Sequence, residues 1–186
     1  GAIKHMKYRR WKAKTIDITF PRADGEAGML AALKRICVEA EKSVGKRALD
    51  KQFLDRVFTR IDQSIAMAAL FTAHHLKIKA IAALTESGST ALWMSRFNID
   101  VPIYALTTEV STRHKVAIFR GVYPLLTHFV SHDRDELLRD AEEELIRAGA
   151  VEPGDLIVLT IGEPIGQPGG TNTLKIIKVG EHRAAH

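Results

Sequence analysis

Apolar residues change their spacing along this 186-residue chain, and each change predicts an element. Thr15 to Phe20 alternates well enough for a short strand, ended by Pro21 and the turn-forming pair Asp24-Gly25. From about Ala27 to Ser43, Leu30, Leu33, Ile36, Cys37 and Ala40 recur at helical intervals, so an amphipathic helix with an apolar Cys37 face is expected, stopped by Gly45. Lys46 to Arg56 is polar and charged and reads as a linker. Asp62 to Leu76 predicts a second helix, with Ile61, Ile65, Ala69, Leu70 and Ala73 on one face. His74 and His75 close it; adjacent residues point to different sides of a helix, so they suit favourable charge at its C-terminus better than joint metal ligation.

The pattern then shifts to short apolar runs separated by helices. Ala80 to Leu84 is a strand, followed by a helix to about Asn98. Pro102 to Thr107 is the next strand, Arg113 to Arg120 a brief helix, and Tyr123 to Val130 a third strand. Asp133 with Glu136 three residues on starts a strong helix to Arg147, with Gly149 as its C-cap. Within that helix Glu142, Glu143 and Glu144 read as a solvated face. Pro153-Gly154 turns the chain into a central strand from Asp155 to Ile161, and Thr173 to Val179 is a last strand.

Strands of this length alternating with helices imply an α/β fold of three layers: a mostly parallel five-stranded sheet with helices on both faces. The last strand should run antiparallel, because only the loop from Gly162 to Asn172, with its four glycines and two prolines, joins it to its predecessor.

Charge changes the picture at one end. Lys and Arg number 27 against 22 Asp and Glu, a formal +5, yet Lys4, Lys7, Arg9, Arg10, Lys12 and Lys14 stand near the start with no acid among them. This arm carries Tyr8 and Trp11, and a solvated tail is the favoured reading over a nucleic-acid contact. Gly1 to Met6 resembles the remnant of an expression tag. One cysteine cannot form an internal disulfide, and a reduced cytoplasmic setting is the default. No apolar run reaches the roughly 18 residues of a membrane span. The chain is also too short for a (β/α)₈ barrel of about 250 residues. The expected organisation is an arm over 1–32, a domain over 33–180 and a tail over 181–186.

The candidate chemistry lies in the turn Thr85-Glu86-Ser87-Gly88-Ser89-Thr90. Hydroxyls and backbone N–H groups at a strand-to-helix turn can hold an anion, most naturally a phosphate. The competing reading is a plain helix cap by Ser87 or Ser89. The spacing matches neither G-x-x-x-x-G-K-[ST] nor G-x-G-x-x-G. The Gly162 to Asn172 loop leaves the carboxyl end of another strand, so both segments can meet around one ligand. No metal cluster, nucleophile elbow or carboxylate pair flanks them, which favours a binding or regulatory module. His114, His128 and His132 could contribute to a phosphate site, yet each reads more simply as a surface residue.

Several segments in order carry a resemblance. Ile36 to Ser43, Ala80 to Ala91 around Thr-Glu-Ser-Gly, Phe119 to Pro124, Gly154 to Val158 and Thr171 to Thr173 are similar to the C-terminal domain of bacterial pyruvate kinases, from about Ile36 to Val179. The resemblance implies an allosteric and oligomerisation domain that binds a phosphorylated sugar or nucleotide. The family's phosphate loop falls on Thr85, Glu86, Ser87, Gly88, Ser89 and Thr90, and its effector loop on Gly162 to Thr171, including Gly169 and Gly170. It further implies a homo-tetramer for the full-length enzyme, which transfers phosphate from phosphoenolpyruvate to ADP in glycolysis. The Mg²⁺ and K⁺ of that reaction belong to a catalytic barrel, so no cofactor and no catalytic residue is expected in this chain and none of that turnover from it alone.

Departures shape the expected ligand. Members that bind fructose 1,6-bisphosphate usually carry a lysine and an arginine in the phosphate loop, where this chain has Glu86 and Ser89. An acid facing a second phosphate is unfavourable, so a sugar monophosphate or AMP is favoured. Nothing between Met6 and Leu33 matches the family's Ser-Gly-Glu-Thr-Ala barrel motif. A purely structural oligomerisation domain, or a stand-alone phosphate-binding protein or transferase, are the alternatives.

Overall fold

The computed structural model describes residues 8–9, 15–16, 25–43, 57–97, 99–129, 133–164 and 170–181. Two compact units divide the chain between Gly45 and Lys46. In the first, β1 (Tyr8–Arg9) and β2 (Thr15–Ile16) pair antiparallel, and α1 runs over Gly25–Ser43. The helix thus continues through position 32. Its Ile36, Cys37 and Val38 are exposed, so the apolar positions around the cysteine are not buried. Residues 17–20 of the expected first strand and the 46–56 linker fall outside the described residues.

The second unit is the α/β body. After α2 (Ile61–His75) come β3 (Ile78–Leu84), α3 (Ser89–Ser95), β4 (Ile103–Thr107), α4 (Val110–Val116), β5 (Val122–Leu126), α5 (Arg134–Arg147), β6 (Leu156–Gly162) and β7 (Thr171–Lys178). The five-stranded sheet has the order β5-β4-β3-β6-β7. All neighbours are parallel except β6 and β7, whose short connection requires the antiparallel pairing.

The period of two along each strand sorts side chains between two cores. Ile81, Ala83, Ile103, Ala105 and Val158 point to the face covered by α2, α3 and α4, where Leu70, Met94 and Val116 are fully enclosed. Ala80, Ala82, Leu106, Ile157 and Leu159 point to the opposite face and meet Leu137, Leu138, Ala141 and Leu145 of α5. Alanines over much of β3 let helices approach closely from both sides, so this central strand is the spine of the domain.

Some expected boundaries move. Asp133 caps α5 by accepting from the N–H groups of Asp135 and Glu136, but the last turn closes on Ala148, with Gly149 following at φ 67°. α3 ends at Ser95, before Asn98, and α4 begins at Val110, because the Thr107 hydroxyl accepts from Glu109 N at 3.1 Å and turns the chain early. β5 stops at Leu126, and β7 begins at Thr171, two residues ahead of its expected start.

Two charged residues contradict the expected faces. Ile61, at the first position of α2, is 68% exposed, while Asp62 beside it is buried. Glu142 is not on a solvated face: it is 2% exposed, one turn from Leu138 and Leu145 on the sheet side of α5. Its Oε1 accepts from Gly180 N at 2.9 Å, while Oε2 is enclosed without a partner. A remote backbone donor makes that burial tolerable. Glu143 is exposed and Glu144 partly so.

Candidate functional site

The carboxyl ends of β3 and β6 lie side by side at the centre of the sheet, and the chain leaves them in different directions. From β3 it passes through the Thr85–Thr90 turn into α3 and on to β4; from β6 it enters the loop to β7. In open α/β sheets such a divergence leaves a crevice beyond the strand ends.

Thr85 still belongs to the ladder, its N–H donating to Leu106 O at 2.9 Å. The turn then closes on itself. Gly88 N donates to Thr85 Oγ1 at 2.9 Å, and Ser89 N donates to Ser87 Oγ at 3.4 Å. Both hydroxyls act as acceptors there, so each keeps its own hydrogen to donate. The N–H groups of Glu86 and Ser87 find no acceptor among the described residues. Glu86 is half-buried.

Gly88 caps α3 in the left-handed region, at φ 76°, with no side-chain cap bond. A Cβ there would stand 2.6 Å from Val116 Cγ1, so the turn rests on α4 at a distance that glycine alone permits. α4 also holds the turn's carbonyls. The Thr112 hydroxyl donates to Glu86 O, and Lys115 Nζ donates to Ser87 O at 2.9 Å.

The remaining two hydroxyls are spent on other elements. Ser89 Oγ donates to Asp62 Oδ2 at 2.9 Å. Asp62 is gripped by both arms of the Arg60 guanidinium, at 2.9 and 2.7 Å, and by Gln63 N at 3.0 Å. Burial pushes its carboxyl up, but the Arg60, Ser89 and Gln63 bonds outweigh it and hold the group below its ordinary value. Thr90 Oγ1 lies 2.7 Å from Thr171 Oγ1, both residues buried.

That contact joins the turn to the β6–β7 connection. At Gly162 a Cβ would come within 2.9 Å of Gly170 C and 3.0 Å of its oxygen, so close approach of the two strands requires glycine at this register shift. Asn172 then fastens Glu163, accepting from its N–H at 3.0 Å and donating to its carbonyl at 2.6 Å. Gly169 lies outside the described residues.

Of the ten residues singled out in the sequence, Thr90 and Thr171 are brought into direct contact, and Gly162 and Gly170 into close backbone approach. Thr85, Ser87 and Gly88 form the closed turn, whereas Ser89 is turned onto α2. The spacing alone missed Asp62, Arg60, Thr112 and Lys115. The one signal for Asp62 was an acid in the first turn of an otherwise apolar helix.

His74 and His75 stand edge to face at the exposed end of α2, with His75 against Phe71. His114 and His128 are exposed, and His132 is outside the described residues. No group of three or more His, Cys, Asp or Glu able to hold a metal ion occurs among the described residues. None of the described helices is long and apolar enough to cross a membrane.

Comparison with known proteins addresses the whole body. Residues 63–177 match the family described as pyruvate kinase, alpha/beta domain. A pyruvate kinase of Buchnera aphidicola subsp. Baizongia pistaciae is 33% identical over 90% of this chain and 38% of its own length. Pyruvate kinase II of Salmonella typhimurium LT2 is 37% identical over 81% of the chain and 31% of its own length. A pyruvate kinase of Sporosarcina psychrophila is 32% identical over 80% and 25% respectively. The chain therefore spans about a quarter to two fifths of these relatives. With its sheet order, its antiparallel last strand and this match, the chain belongs to the pyruvate kinase alpha/beta domain family.

Proposed function

We propose that this chain is the regulatory and assembly domain of a cytoplasmic pyruvate kinase, binding the phosphate of a sugar monophosphate or AMP at the Thr85–Ser87 turn. The observation that carries the reading is the 2.7 Å contact between Thr90 and Thr171, because it holds the turn and the β6–β7 loop together at the crevice between two central strands. Two hydroxyl hydrogens and two N–H groups on the turn are left for a ligand. Glu86 beside them disfavours a second phosphate, so one phosphate per ligand is the better fit. In this reading, transfer of phosphate from phosphoenolpyruvate to ADP belongs to a separate barrel of the parent enzyme, with its Mg²⁺ and K⁺. The parent assembles as a tetramer in part through this domain.

A structural role alone is the second reading. It is favoured by Ser89 and Thr90, whose hydroxyls are already spent on Asp62 and Thr171. Isothermal titration with glucose 6-phosphate, ribose 5-phosphate, AMP and fructose 1,6-bisphosphate separates the two. Saturable binding that is lost in Thr85→Ala and Ser87→Ala is the expected result. Absence of binding to all four by the folded chain overturns the effector reading in favour of the structural one.

A further inference from the structure

We infer that Lys115, on a helix remote in sequence from the turn, supplies a cation that offsets part of the charge of a phosphate bound there. The inference rests on the reading of the turn as an anion site, and names what provides its charge. The turn itself has no basic residue between Thr85 and Thr90, and its one charged side chain is the carboxylate of Glu86. A phosphate dianion held by hydroxyls and amides next to a carboxylate needs a positive charge from elsewhere.

Two cations are tied to the turn, and they differ in what remains available. Arg60 reaches it through Asp62, but both of its bonding arms end on that buried carboxylate, which cancels the charge. Lys115 meets a neutral acceptor, Ser87 O at 2.9 Å, and forms no ion pair among the described residues. An ammonium has three hydrogens and one is spent here, so two remain to donate to a ligand. The group is exposed. Its contact carbonyl belongs to the residue whose N–H and hydroxyl hydrogen are both unspent.

The support is stiff enough to keep this relationship. Thr112, one turn earlier on α4, donates to Glu86 O, and Gly88 is pressed against Val116, the residue after Lys115. The turn and the ammonium are therefore set against each other by one helix.

The test is titration of the full chain with inorganic phosphate and with glucose 6-phosphate, followed by calorimetry and backbone amide shifts of Glu86 and Ser87. Lys115→Met is expected to weaken both by about tenfold or more, the scale of one lost charge-assisted hydrogen bond. Lys115→Arg should keep most of the affinity. Arg113→Met, which removes the same charge from an exposed position of the same helix, should change it little. Unchanged binding in Lys115→Met, or an equal loss in Arg113→Met, overturns the role of Lys115 while leaving the turn as the site. No binding by the parent chain instead overturns the anion site itself and this inference with it.

Discussion

Asp62, on the first turn of α2, accepts a hydrogen bond from the Ser89 hydroxyl at the start of α3, across 27 residues of chain. The carboxylate is buried, and its other partners are Arg60 and Gln63 N, so one acid anchors two helices to the turn after β3.

This link makes stability depend on pH in a known direction. The folded protein holds the Asp62 proton less readily than the unfolded chain, since the group lies below its ordinary value. Its contribution is therefore fully present above the ordinary carboxylate value of about 4 and is lost as pH falls through the lower folded value. Asp62→Asn should melt at a lower temperature than the parent at neutral pH, and the gap should close in acid. Melting curves from about pH 7 to about pH 2 check this; a gap that stays constant with pH would show that the ion pair contributes nothing.

Gly88 should resist substitution for two separable reasons. Alanine at φ 76° costs about 1–2 kcal/mol of backbone strain, and its Cβ would strike Val116 Cγ1. Gly88→Ala is expected to lower the denaturation midpoint, with Val116→Ala in the same chain recovering the steric part alone. If the double variant is as unstable as the two losses added, the contact is not what excludes a side chain.

The Thr90 and Thr171 hydroxyls should behave as a coupled pair. Replacing either by valine leaves the other hydroxyl enclosed without a partner, at about 1–3 kcal/mol. Replacing both removes the unmet group, so the double variant should lose less than the sum. A thermodynamic cycle by urea denaturation measures the coupling, and simple additivity would count against the bond.

Glu142 offers a test away from the site. Glu142→Gln keeps an oxygen for Gly180 N–H, whereas Glu142→Ala removes it and leaves a void under α5. The alanine variant should lose about 1–3 kcal/mol more than the glutamine variant, with faster amide exchange at Gly180. Equal losses would mean that the acceptor is immaterial.

How these residues were read differs with what the sequence can encode. Nearly unbroken apolar runs along Ala80 to Leu84, Pro102 to Thr107 and Asp155 to Ile161 report the strands, because a strand covered on both faces must be apolar nearly throughout. The Gly/Pro-rich stretch after Ile161 reports the antiparallel turn-back, since no helix fits in it. The hydroxyl turn from Thr85 to Thr90 is visible for the same local reason: its residues are neighbours in the chain.

Residue type misled at Asp62 and Glu142. A helical wheel places them on the inner face, yet a charge there is readable as buried only when its partner is known. Arg60 grips Asp62 from two residues away, but the partners that tie these acids to other elements, Ser89 and Gly180, stand 27 and 38 residues away. Lys115 meets the turn across 28 residues and Thr171 meets Thr90 across 81. By itself, then, the sequence determined the order of the elements, the layers they form and the position of the hydroxyl-rich turn, because hydrophobic spacing and local turn chemistry act over a few residues. Which hydroxyls remain open and which cation stands beside them was decided by the tertiary structure, because hydrogen bonds and ion pairs depend on distance in space, and packing brings remote residues to those distances.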